Sequence, residues 1–185
     1  MSKHSELAID ETEMTAAAFV DLILLHPDIT LLVAENLHLF FDPTTDPPPT
    51  FELLQLNGLI ANVQPSLLSF LALLPPKSIP KLQVISLRGR LFKRDFMAGF
   101  TQSGEEEIEE FGRTHGNVAD FMETYGEQLQ MIDASELGQV TTSDINSLKR
   151  LVPGAEDEWN EEQGDIVPES SEWEWDDEEK ALVRD

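Results

Sequence analysis

Four histidines, His4, His26, His38 and His115, are the first residues to test for catalysis or metal binding, because the chain has no cysteine. Their separations match none of the short intervals by which paired ligands converge on a metal. His26 and His38 each have a simple place at the edge of a secondary-structure element. No serine stands in a nucleophile-elbow context, and no glycine-rich loop is available to cradle a phosphate. Carboxylates abound and are dense in Glu105–Glu110 (EEEIEE), but acid–base work needs a pair sharing a cleft. That run reads as a solvated acidic segment, with weak divalent-cation binding as the alternative. The expectation is a protein that is not an enzyme and has no cofactor and no metal.

Two other groups suit recognition. Lys77, Lys81, Arg88, Arg90, Lys93 and Arg94 gather half of the 12 cations into Lys77–Arg94. One reading is an anchor for an acidic or phosphorylated peptide, with Arg88 and Arg90 offering forked donors. The other is a solvated ridge answering the chain's own acidic segments. All three tryptophans, Trp159, Trp173 and Trp175, lie in the acidic stretch after Ala155. There, acids keep the segment solvated while indoles supply contact area.

The elements that must position these residues follow from apolar spacing and breakers. Residues up to about Ile9 read as a loose arm. Thr12–His26 reads as a helix capped by Thr12 or Thr15 and stopped by Pro27. ITLLVAENLHLFF reads as a strand, Asp42–Thr50 as a proline-rich loop, and Phe51–Ile60 as a strand ended by Asn57-Gly58. The central unit is helix Leu67–Leu74, a break at Pro75-Pro76, strand Leu82–Leu87 and a turn at Gly89. Phe92–Phe100 adds a helical turn, and Gln102–Gly116 is a polar insertion. Val118–Gly126 is a short amphipathic helix, QLQMIDASEL a fourth strand, and Ser143–Val152 a last helix capped by Ser143 or Asp144.

Four strand candidates share the spacing apolar-x-x-apolar-x-apolar: Ile29/Leu32/Ala34, Phe51/Leu54/Leu56, Leu82/Ile85/Leu87 and Leu129/Ile132/Ala134. Three of the four, all but the second, follow an apolar helix-like segment that ends in a breaker: LILLHPDITLL, FLALLPPKSIPKLQVI and FMETYGEQLQMI can be laid over one another. This spacing resembles the strand signature of leucine-rich repeats. The helix-then-strand units resemble the repeat region of fungal F-box proteins with leucine-rich repeats, over roughly Thr15–Val152. The resemblance implies a short α/β solenoid of parallel strands alternating with helices, and an association with ubiquitin-ligase substrate receptors. No segment resembling an F-box precedes it, and the asparagine that commonly follows the strand has no consistent counterpart. A small α/β sandwich with leucine-rich strands is the alternative fold. The hexapeptide EWEWDD resembles the tryptophan-acidic peptides recognised by kinesin light chains.

If the strands stack, the motif residues point inward and those between them line an exposed face. The face residues are Leu31, Val33, Glu35; Leu53, Gln55, Asn57; Val84, Ser86, Arg88; and Met131, Asp133, Ser135. Their first members give an apolar column, the kind of patch that marks a partner site or is covered by a neighbouring element.

The formal charge of −24 in 185 residues is uneven, with few acids between Asp42 and Ser103. The reading is therefore three parts: residues 1–11 a flexible acidic arm, 12–153 a leucine-rich-repeat-like domain, and 154–185 a disordered acidic tail bearing the tryptophans. The function expected is non-catalytic protein–protein interaction through the strand face, the basic ridge or the tail. The alternative is an acidic mimic or histone-binding protein acting through its tail. An intramolecular contact between the tail and Lys77–Arg94 is also expected, and direct nucleic-acid binding is not, since phosphate contacts need a basic face. The apolar runs are broken well short of a membrane span. With no cysteine and a polar, acidic N-terminus, the expectation is an intracellular protein, cytoplasmic or nuclear.

Overall fold

In a computed structural model describing residues 5–41, 50–63, 67–92, 104–160, 165–169 and 172–184, the chain is a mixed α/β fold built on a mainly parallel seven-stranded sheet. In chain order the elements are β1 (Glu6–Asp10), β2 (Glu13–Thr15), α1 (Ala16–Leu24), β3 (Leu31–Glu35), β4 (His38–Phe40), β5 (Gly58–Asn62), α2 (Leu67–Ala72) and β6 (Val84–Arg88). Then come α3 (Gly104–Tyr125), β7 (Met131–Asp133), α4 (Thr142–Lys149), β8 (Glu156–Asn160), β9 (Asp165–Glu169), β10 (Trp173–Asp176) and β11 (Ala181–Arg184). The sheet order is β1-β3-β5-β6-β7-β11-β10. The first five strands are parallel and in sequence order; β11 and β10 join as an antiparallel pair. Strands β2 and β4 form a small parallel ladder, and β8 and β9 an antiparallel one.

One core row fixes the register. Leu7, Leu32, Leu59, Ile85, Ile132 and Leu182 stand opposite one another across six strands. From Leu32 to Leu182 every member is fully buried, and burying a side chain of this size stabilises by about 1.5–3 kcal/mol. Intervals along the row are 25, 27 and 26 residues as far as Ile85, then 47 where α3 intervenes. Backbone hydrogen bonds repeat with it. Ile29, Leu56, Leu82 and Leu129 each donate N–H to the carbonyl three residues earlier, tightening the turn before the strand. The carbonyls of Ser5, Thr30, Asn57 and Gln83 each accept two N–H groups from the start of the next parallel strand. Four successive junctions thus satisfy the same backbone polar groups in the same way.

The helices add their apolar faces to this core. Thr15 caps α1, its hydroxyl accepting from Ala18 N at 3.2 Å, and Phe19 and Ile23 are buried. Phe19 meets Phe51 and Phe70 edge-on, with centroids 6.4 and 5.9 Å apart. The Tyr125 hydroxyl lies 3.1 and 3.2 Å from the carbonyls of Leu71 and Leu74 and shares its one proton between them, so α3 is tied to the end of α2.

Several expectations change. Glu6–Asp10 is an edge strand rather than a loose arm, held because Leu7 and Ile9 extend the core rows. The second motif is Leu56/Leu59/Ala61, not Phe51/Leu54/Leu56: Leu54 sits 46% exposed in a turn, and Asn57-Gly58 begins the strand instead of ending it. Phe51–Asn57 has no strand; its phenylalanine and Leu53 enter the core from irregular backbone. The acidic stretch and Val118–Gly126 form one 22-residue helix, α3. The cap of α4 is Thr141, with Asp144 closing a capping box. The C-terminal stretch is not wholly outside the core, because β10 and β11 belong to the sheet and bury Trp173 and Leu182. The helical turn expected at Phe92–Phe100 lies, from residue 93 on, outside the described residues.

Candidate functional site

Strand alternation that buries Leu32, Leu59, Ile85 and Ile132 turns the intervening side chains to the other face of the sheet. The register assembles them into three rows. The first runs Glu6, Leu31, Gly58, Val84, Met131, Val183, Glu174. The second runs Ala8, Val33, Ile60, Ser86, Asp133, Ala181, Asp176 in the same strand order. The third, at the carboxyl ends, contains Asp10, Glu35, Asn62 and Arg88. Leu31, Val33, Ile60, Val84, Met131 and Val183 are all half-buried, neither sealed in a core nor fully solvated. Gly58 gives Leu31 room: a Cβ there would lie 3.0 Å from Leu31 Cδ1.

The polar row is knitted together. Arg88 reaches over β5 to pair with Glu35 two strands away. Asn62 Nδ2 donates to Asn36 Oδ1 at 3.4 Å, and Asn36 Nδ2 to Asp10 Oδ1 at 3.5 Å, two long bonds. Burial opposes ionisation of Asp133. Hydrogen bonds from the Ser135 side chain and backbone and from Ser86, with the Arg88 charge, outweigh that and hold its carboxyl below the usual range.

Of the residues expected on this face, Leu31, Val33, Val84, Ser86, Arg88, Met131 and Asp133 stand there, brought together by the register. Leu53 does not; it is 1% exposed and part of the core. Gln55 is exposed but lies in the turn before β5, where Lys81 Nζ donates to its Oε1 at 2.6 Å. Gly58, Ile60 and Asn62 take the places given to Leu53, Gln55 and Asn57. The signal for them was the interval: Leu59 keeps the 25- to 27-residue step that Leu54 breaks.

The described cations of Lys77–Arg94 do not form one ridge. Lys77 and Lys81 precede β6 and Arg88 ends it, so the strand's length, roughly 17 Å, separates them. Arg90 is exposed beyond Gly89, and Lys93 and Arg94 lie outside the described residues. The described part of the tail joins the sheet through backbone pairing with β7, and its ion pairs include Arg184–Glu172 and Lys180–Asp177 within the tail itself. Trp173 is fully buried, with the Arg184 guanidinium 5.7 Å from its ring centre. Trp175 is half-buried and donates to Asp177 Oδ1 at 3.0 Å. These two indoles are therefore not free docking groups, as the peptide resemblance requires; the Trp159 side chain lies outside the described residues.

A separate cleft of about 710 Å³ lies among Leu24, Pro27, Phe51, Leu54 and Pro75, with Asp28, Glu52 and Lys77 as its charged lining. His115 packs beside Phe111, and burial lowers its pKa. Among the described residues no three His, Asp or Glu side chains converge to hold a metal ion, and no helix is long and apolar enough to cross a membrane. Comparison with protein-family models, curated proteins and solved structures finds no match.

Proposed function

We propose that the chain is a short leucine-rich-repeat-like solenoid working as a non-catalytic protein-binding module, and that its partner meets the open sheet face. The repeat reading is supported by four junctions with the same inward motif and the same turn-closing hydrogen bond. Row steps of 25–27 residues fall within the leucine-rich-repeat range. The observation that carries the function is the row Leu31, Val84, Met131, Val183, with Val33 and Ile60 beside it. These are aliphatic side chains left half-open on one continuous face. Stacked repeats use such faces for recognition, and contiguous open apolar surface marks partner sites. The alternative, a tail that is itself the binding element, draws less support because Trp173 and Leu182 are committed to the core.

The test is comparative capture from cells making the full chain. Proteins retained by wild type and by the control Leu25→Glu should be lost with Ile60→Lys/Val84→Lys, while circular dichroism and Tm report an intact fold. Leu25 is 75% exposed and follows α1, away from the sheet face. Identical capture by the double variant would overturn the proposal.

A further inference from the structure

We infer that the segment recognised on this face is cationic as well as apolar: a protein stretch with aliphatic or aromatic anchors flanked by Lys or Arg. This rests on the reading of the sheet face as a docking surface. Glu6 and Glu174 terminate the apolar first row on the two edge strands. Asp133 interrupts the second row at β7, held ionised by its hydrogen bonds and by Arg88. Arg88 is the only cation that the described strands place on this face, and its guanidinium is engaged with Glu35. An acidic or phosphorylated segment would therefore meet like charge at both ends and beside Met131, which costs affinity and suppresses such partners. A cationic segment would find its charges answered while its anchors cover the aliphatic row.

The dimensions suit one segment. Six inter-strand gaps at ~4.8 Å put Glu6 and Glu174 about 29 Å apart along the sheet. That is roughly 19 residues of helix. A second copy of this chain is a poor occupant, since its net charge of −24 repels its own acidic face.

The experiment selects a random peptide-display library on the full-length chain, with counter-selection on Ile60→Lys/Val84→Lys. Peptides that depend on the face should carry net positive charge around apolar anchors. Their affinity should fall roughly tenfold between low and high salt. It should also fall by about tenfold with Glu6→Lys/Glu174→Lys, two exposed positions whose exchange should not lower Tm. Face-dependent peptides that are neutral or acidic, or indifferent to that charge reversal, would overturn the inference and leave the docking face standing. No face-dependent enrichment would overturn both.

Discussion

Gly89 ends β6 with φ +99°, a left-handed conformation, and a Cβ placed on it would lie 2.6 Å from Asn62 Oδ1. Conformation and space both call for glycine. Gly89→Ala should therefore cost about 1–3 kcal/mol, read as a lower urea midpoint. Asp133 makes a different residue-level claim. Its folded pKa is depressed, so it contributes stability above its ordinary value of 3.8, lost as pH falls through its folded value. Asp133→Asn should thus lower the urea midpoint at pH 7, and the gap to wild type should close in the acid range below 3.8. Equal midpoints at pH 7 would mean the Ser135, Ser86 and Arg88 contacts contribute nothing.

At the scale of elements, the decisive issue is which leucines of Phe51–Asn62 form the strand. A one-residue slip turns every side chain to the wrong face, and here the apolar spacing fits two frames. Leu59 is buried in the β5 row whereas Leu54 is 46% exposed. Leu59→Ala should cost about 2–5 kcal/mol, and Leu54→Ala within about 0.5 kcal/mol, by denaturant titration. The opposite ranking would restore the earlier frame. The β10–β11 pair makes a parallel prediction. Trp173→Ala should cost about 3–5 kcal/mol, because a fully buried indole leaves a cavity the sheet edge cannot close. A solvated tail would instead leave Tm unchanged. The frames of Ile29–Ala34, Leu82–Leu87 and Leu129–Ala134 were legible because each follows a breaker directly. Phe51–Leu56 misled because Phe51 and Leu53 are apolar for another reason, filling the core from a turn.

On the scale of the whole molecule, 36 acids against 12 basic residues give a chain that repels itself. Self-repulsion opposes compaction and is screened by salt. Tm should rise by several degrees between 0.02 and 0.5 M NaCl (roughly 21 Å of screening length falling below 5 Å). A flat or falling Tm would place the charges in compensating networks. The same excess makes the apolar rows of the sheet face conspicuous, since they persist in a chain otherwise so polar.

What the sequence determined by itself was the inward set: apolar residues at fixed offsets after a breaker can satisfy burial and backbone pairing in one way, and most of that set is where the spacing put it. It also determined Gly89, the helix cores and the half-open residues of β3, β6 and β7. Tertiary structure alone decided what enters the sheet from far along the chain. Glu6–Asp10 and Ala181–Arg184 are short, and the acidic sequence in or beside them keeps them from reading as core on local grounds. They are held because a parallel stack has two open edges, and pairing with an existing strand satisfies backbone groups that local composition does not reveal.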